Sequence, residues 1–336
     1  MKIPFTFAIM LFLGQAKAPA LDEKRVNAAI DRGVEYLRAK LSKKNGGQEK
    51  VRELALLAMV HAGVKKGDPL LDELVKAMVE EDLTTTYRTA LQAMVLRELD
   101  RAAWQKRIFQ CAQFLVDNQC RNGQWAYGEP TTYPEPKPEP DIDVQTKYRV
   151  AKRRAGPNTG DHSNSQYAIL GIRACTESGI LFPKEVLTKA SQAWRDTQTA
   201  AKGWSYGPKG NRAYGSMTAG GVAALTILDV LQDQDWKQDA AITGGLEWLR
   251  DNLVITDNPG RGGSHHYYWL YALSRAALLT ETEKFGKADW YLEGALYLLA
   301  NQETDGSWEK RPVETCFAIL FLRRATRPAV ATGDKK

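Results

Sequence analysis

The chain has 336 residues, 43% hydrophobic and 9% aromatic, with a formal net charge of +6 at pH 7. That length can bury a large core as one domain. The 46 basic and 40 acidic side chains are dispersed rather than gathered into a stripe, and no apolar run reaches the roughly 20 residues of a membrane-spanning helix. Neither a nucleic-acid partner nor a stable membrane span is therefore expected.

The first twenty residues read as a targeting segment. Lys2 precedes an apolar stretch, Ile3 to Leu13, and Ala18-Pro19-Ala20 fits a small-x-small cleavage site. Cleavage after Ala20 predicts an exported protein, periplasmic or secreted. It removes Lys2 and Lys17 and so lowers the formal charge from +6 to +4. Residues 21–326 then form one repeat domain, and 327–336 are expected to be a disordered tail.

Helical patterns follow in pairs. They begin near Val26, Leu70, Trp104, Pro183, Trp236 and Phe285. The first of each pair is amphipathic and carries charge, as in Asp31-Arg32 and Arg250-Asp251, whereas the second is apolar nearly all round, as in Thr218-Ala-Gly-Gly-Val-Ala-Ala-Leu. A helix without a polar face is buried on all sides. About six hairpins of one outer and one inner helix predict an all-α, α/α toroid.

One phrase is written twice at identical spacing within this pattern. Phe114-Leu115-x-x-x-Gln119-x-x-x-Gly123-x-Trp125 recurs as Tyr297-Leu298-x-x-x-Gln302-x-x-x-Gly306-x-Trp308. Gly123 and Gly306 suit a left-handed turn that ends a helix, the Trp needs a surface to cover and a partner for its N–H, and the Gln can satisfy backbone groups at a helix end. The second hairpin, around Thr84-Thr85-Thr86, and the fourth, around Trp194 and Trp204, read as degenerate copies.

The rhythm breaks once. Residues 129–160 hold Pro130, Pro134, Pro136, Pro138, Pro140 and Pro157, an acidic first half and a basic second half with Lys152-Arg153-Arg154. An insertion of this length is a lid, a binding loop or a solvated excursion whose halves attract each other. The four cysteines, Cys111, Cys120, Cys175 and Cys316, include no Cys-x-x-Cys pair; three sit in apolar helical patterns and read as buried thiols.

The Gln-x-x-x-Gly-x-Trp phrase resembles the QW repeat of squalene and terpenoid cyclases, a superfamily that includes the β subunits of protein prenyltransferases. The resemblance spans roughly Leu21 to Ala325. It implies that Gln119, Gly123, Trp125, Gln302, Gly306 and Trp308 are structural. It also implies an Asp-x-Asp-Asp acid for cyclisation, and Asp141-Ile142-Asp143-Val144, the nearest approach, lacks the final Asp. For the prenyltransferases it implies an Asp-x-Cys zinc motif with a later His. Glu314-Thr315-Cys316 is similar with Glu for Asp, and only His265 and His266, earlier in the chain, are available, so zinc is weakly indicated and no cofactor is required.

In a ring of hairpins every inner helix starts at the same end, so residues at those starts converge on one mouth. They are Tyr87 and Arg88, Asp161 and His162, Tyr214 and Ser216, His265 and His266, and Glu314, with the aromatic run Tyr267-Tyr268-Trp269-x-Tyr271 beside them. Positive helix ends there favour anionic groups. Asp161, His162, His265, His266 and Tyr268 are the candidate catalytic groups; Tyr87, Arg88, Tyr214, Tyr267, Tyr268, Trp269 and Tyr271 are the candidate ligand-binding ones. A lyase would use Tyr268, His265, His162 and Arg88 for proton abstraction beside a uronate carboxylate. An intact framework without the cyclisation acid instead favours a non-catalytic toroid that binds an apolar, isoprenoid-like molecule or a protein partner.

Overall fold

The computed structural model describes residues 21–42, 51–138 and 146–328. The expected targeting segment 1–20, the Asp141/Asp143 pair and residues 329–336 lie outside the described residues. Among the described residues twelve α-helices carry the fold: α1 (Glu23–Leu41), α2 (Arg52–His61), α3 (Pro69–Glu80), α4 (Thr86–Asp100), α5 (Gln105–Asp117), α6 (His162–Glu177), α7 (Lys184–Asp196), α8 (Gly215–Leu231), α9 (Ala240–Asn252), α10 (His266–Leu279), α11 (Trp290–Ala300) and α12 (Pro312–Leu322).

The even-numbered helices form the inner ring. Each packs on the next, α2 on α4, α4 on α6 and onward to α10 on α12, and α12 packs back on α2 to close the circle. Composition explains the sorting. In α8 every residue from Gly215 to Asp229 is buried, so no face is left for solvent, whereas α7 buries only the stripe Val186, Leu187, Ala190, Ser191, Ala193 and Trp194. The chain is therefore an all-α toroid of six hairpins.

The repeated phrase ties consecutive hairpins together. Gln119 Nε2 donates to Gly123 O at 3.2 Å, inside its own turn, and to Val186 O at 2.8 Å on the next outer helix. Gln302 makes the same pair, to Gly306 O at 2.9 Å and to Ala29 O at 2.7 Å, and so fastens the last hairpin to α1. Each Trp plugs the turn: Trp125 Nε1 donates to Leu115 O at 2.7 Å and Trp308 Nε1 to Leu298 O at 2.9 Å, in both cases ten residues back. Both indoles are fully buried.

The fourth hairpin corrects one expectation. It is a third full copy, with Lys202 in the glycine's place. Gln198 Nε2 donates to Lys202 O and to Ala241 O, both at 2.8 Å, and Trp204 Nε1 donates to Trp194 O at 2.8 Å. Lys202 holds the left-handed conformation (φ 65°) that Gly123 (φ 87°) and Gly306 (φ 86°) adopt. Space accounts for the exchange. A Cβ on Gly123 would lie 2.2 Å from Lys189 O, and one on Gly306 2.4 Å from Arg32 O. Opposite Lys202 the facing position is Gly244, whose own added Cβ would stand 3.1 Å from the Lys202 side chain. The glycine has moved from the turn to the helix across from it.

The described residues of the Pro-rich segment lie along the outside of α5. Lys152 Nζ donates to Val116 O and Gln119 O, both at 3.0 Å, Arg153 Nη2 to Asp117 Oδ2 at 2.6 Å, and Arg154 Nη2 to Asn118 Oδ1 at 2.9 Å. These cations meet the carbonyl end of α5, where the helix dipole favours them. At the other end of that helix β1 (Tyr148–Arg149) pairs in parallel with β2 (Ile180–Leu181). All four cysteines are free and buried. Arg327 and Pro328, expected in the tail, are exposed but held through their backbone: Arg173 donates to both of their carbonyls, at 3.1 and 2.9 Å.

The turn geometry sets a directional test. Gly123→Ala and Gly306→Ala, which collide with backbone in a left-handed turn, are expected to lower stability by about 2 kcal/mol or more. Lys202→Gly should stay within about 1 kcal/mol of the parent. Urea unfolding midpoints read both; equal losses at all three positions would refute the Gly244 account.

Candidate functional site

The starts of all six inner helices surround one cavity of about 370 Å³. Its apolar wall is built by Leu91 of α4, Met217 of α8, Tyr267 and Tyr268 of α10, and Val313 and Phe317 of α12. Tyr268 meets Phe317 edge-on at 5.5 Å and stacks on Tyr167 at 6.2 Å, and Tyr167 in turn lies 3.9 Å from the ring of Tyr87. Burial pushes the hydroxyls of Tyr87, Tyr267 and Tyr268 above the usual tyrosine range, so all three act as neutral phenols.

Two carboxylates face this wall in different states. Glu53 of α2, only 2% exposed, accepts from Arg88 Nε at 3.1 Å, Arg88 Nη2 at 2.8 Å and Arg52 Nη2 at 3.2 Å. Glu81 completes the square, bound by Arg52 at 2.7 and 2.6 Å and by Arg88 at 2.8 Å, and these bonds, Arg52's first, hold its carboxyl down at about 2. This network is internally neutral. Glu314 of α12 is less well supplied: Arg311 Nη1 stands 3.1 Å from Oε1, while buried Oε2 has no partner. Burial, the largest cause, raises its carboxyl above the usual range.

The helix ends are partly spoken for. Thr86 N donates to Tyr127 O, His162 N to Tyr206 O and Gly215 N to Pro259 O, at 2.6, 2.9 and 2.8 Å. Asp161 Oδ1 caps Asn164 N at 2.8 Å and Asn258 Oδ1 caps Ser216 N at 3.0 Å. The turn within one hairpin thus supplies acceptors to the inner helix of the hairpin before it. The expected attraction for anions is correspondingly reduced, because those donors are satisfied within the chain.

Tyr87, Arg88, Tyr214, Ser216, His265, Tyr267, Tyr268 and Glu314 reach the cavity as the convergence rule predicts. Six other candidates do not. Asp161 is spent as the α6 cap. His162 is fully buried, stacked 4.5 Å from Trp194, with Nδ1 2.7 Å from Ser205 O and Nε2 2.8 Å from Thr197 Oγ1; burial lowers it to about 4. His266 Nε2 lies 2.6 Å from Ile255 O, and burial lowers its pKa also. Trp269 fills the space beside Gly215 and donates to Val254 O at 3.0 Å. Tyr271 is fully buried beneath the cavity, against Arg275.

Cys316 is fully buried and its thiol is pushed up by burial, away from the thiolate a metal requires. Among the described residues no three His, Cys, Asp or Glu side chains are grouped to hold a metal ion, so Glu314, Cys316 and His265 do not form the weakly indicated zinc set. The common reason for these misplacements is rotation. Successive helix positions turn by about 100°, so only one or two residues per start face inward.

Several cavity residues escaped the sequence. Glu53 begins an inner helix whose start was not assigned. Tyr206, Asn258 and Arg261 lie in the turns that fold over the mouth, with the Arg261 guanidinium 4.7 Å above the Tyr214 ring. A signal existed for Tyr206, which follows Trp204 at the same offset as Tyr127 follows Trp125.

No protein-family model and no curated protein matches the chain. Solved structures do. The chain is similar to the type II terpene cyclase MstE from Scytonema, in a variant form bound to its product merosterolic acid A, with TM-score 0.55, 13% identity, and 90% of this chain and 97% of that one covered. It is also similar to a possible GH105-family member from Salmonella enterica, with TM-score 0.58, 10% identity, and 95% and 98% covered. At such identities the likeness shows the toroid fold, which both chemistries share.

Buried His162 predicts a pH effect. Its pKa of about 4 lies below the 6.5 of the unfolded chain, so the unfolded state binds the proton first. Stability is full above pH 6.5 and falls as pH drops toward 4, by up to about 3 kcal/mol. His162→Gln should flatten urea stability over that window relative to the parent; an unchanged slope would show that the imidazole is not held neutral.

Proposed function

We propose that this toroid is a binding protein for a largely apolar small molecule seated in the mouth cavity. The observation that carries this reading is an aromatic and aliphatic wall beside charges and helix amides that are in large part paired within the chain, Glu314 Oε2 excepted. A cavity of about 370 Å³ is within the range that holds small ligands. Polar groups on its lining are held by partners, as in the Glu53–Arg88 pair and the Tyr268–Ser163 contact, which suits orientation of a ligand, while the rings supply contact area. The cyclase-like fold is consistent with an isoprenoid-like ligand.

Farnesol, a fifteen-carbon isoprenoid alcohol, is the first probe. Titration calorimetry should show binding with a negative heat-capacity change, the mark of buried apolar surface. Leu91→Trp, which fills the cavity from α4, should weaken that binding at least tenfold while the fold persists by circular dichroism. Unchanged affinity in the filled variant would place the ligand elsewhere.

Glu314 favours a second reading, acid-initiated chemistry on a bound isoprenoid. A carboxyl whose pKa burial raises, facing neutral phenols and apolar side chains, has the character of a proton donor to an alkene or epoxide. Products formed from squalene or geranylgeranyl diphosphate, detected by mass spectrometry, with turnover reduced at least about 100-fold in Glu314→Gln and farnesol binding retained, would replace the binding reading with this one. No product from the parent protein leaves the binding reading in place. The lyase set is not assembled, because His162 is buried away from the cavity and Arg88 is committed to Glu53 and Glu81.

A further inference from the structure

Beneath the cavity floor lies a charged group that the binding reading does not use. Arg275 of α10 is 1% exposed, and no salt bridge to it is present among the described residues. Its guanidinium sits 4.3 Å from the Tyr271 ring and 5.3 Å from that of Tyr167. It makes one hydrogen bond, Nη2 to Gln166 Oε1 at 2.7 Å; Nε and Nη1 have no partner. A buried guanidinium without a carboxylate is costly, so its single polar link is the informative one.

That link fixes a direction. Arginine only donates, so the atom facing it must be the oxygen of the Gln166 amide. The amide nitrogen then points to Tyr268 Oη, 2.6 Å away, and donates to it. Tyr268 Oη also lies 3.2 Å from Ser163 Oγ. The two hydroxyls hold two protons, and the Gln166 contact consumes neither, because there Tyr268 is the acceptor. One proton serves the bond between the hydroxyls, whichever of them donates. The other is left over, and both side chains line the cavity. The neighbouring α8 leaves room for this arrangement at Gly220, where a Cβ would lie 2.8 Å from the Gln166 amide carbon.

We infer that the Tyr268–Ser163 pair presents one hydrogen-bond donor to the cavity, oriented through Gln166 by buried Arg275, and that the natural ligand is an apolar molecule bearing an oxygen acceptor such as a carbonyl or ether. This rests on the apolar-cavity reading and sharpens it. The chain from guanidinium to amide to hydroxyl polarises each member in turn, which strengthens the terminal donor. Phe317, Leu91 and Met217 line the same cavity and supply apolar contact for the rest of the ligand. Tyr268 and Ser163 touch the ligand in this scheme; Gln166 and Arg275 act through them as positioning residues.

Two matched probes test it. 1-Tetralone carries a carbonyl, tetralin is the hydrocarbon of the same skeleton, and both are compact enough to enter a cavity of about 370 Å³. Calorimetry on the parent protein should give 1-tetralone about tenfold tighter than tetralin, the yield of one hydrogen bond. Gln166→Glu inverts the count, because a carboxylate accepts from both Arg275 and Tyr268 and leaves no spare proton. The preference should then fall to about one, with tetralin affinity unchanged. The double variant Ser163→Ala/Tyr268→Phe should lose the preference in the same way, and thermal unfolding confirms that each variant is folded. A purely structural role would move both probes together. Equal binding of the two probes by the parent, or a preference retained in Gln166→Glu, overturns the inference and leaves the cavity reading standing. Binding of neither probe by the parent overturns both.

Discussion

The ring stands on a bond between one side-chain amide and one main-chain carbonyl on the neighbouring hairpin. Gln119 reaches Val186 O, Gln198 reaches Ala241 O and Gln302 reaches Ala29 O, while each glutamine also holds the carbonyl of its own turn. A six-hairpin ring needs its last member to find its first across nearly the whole chain, a closure that carries a large entropic cost. The Gln302–Ala29 contact is one of the places where that closure is made specific. The indole plugs behind it, each bonded ten residues back, keep the turn from collapsing or fraying.

Closure has a functional consequence because it aligns the inner helices. Six starts arrive at one end, and the turns of following hairpins fold over them, with carbonyls that accept from the backbone N–H groups of Thr86, His162 and Gly215. The same device that satisfies the backbone also takes up helix-end donors that would otherwise draw anions. What is left facing the cavity is a set of phenols, aliphatic groups, a self-neutralised Glu–Arg network, the mouth residues Asn258, Arg261 and His265, and one acid, Glu314, that is short of partners. A site of this kind separates ligands by shape and by one or two directional bonds rather than by net charge.

The third copy of the repeat shows how a motif can be hidden by a compensated exchange. Reading for glycine at the turn passes over Gln198-x-x-x-Lys202-x-Trp204, because the small residue needed for close approach stands on the facing helix as Gly244. The physical requirement is clearance between a turn and a helix, and either side can supply it. Sequence patterns record one side at a time.

Periodicity and composition alone determined the architecture: paired helices, one amphipathic and one apolar, have no stable arrangement except stacked layers, and the Gln-to-Trp phrase marks where each turn falls. They also indicated the end of the barrel at which the inner-helix starts surround a cavity. Only the tertiary structure decided which residue at each helix start faces inward. His162, His266 and Trp269 sit within a residue or a few of true cavity positions, yet rotation about the helix sends them into the packing between hairpins. Glu53, Arg261 and the Arg275–Gln166–Tyr268 chain join residues from separate hairpins, and such partners meet only when the ring is closed.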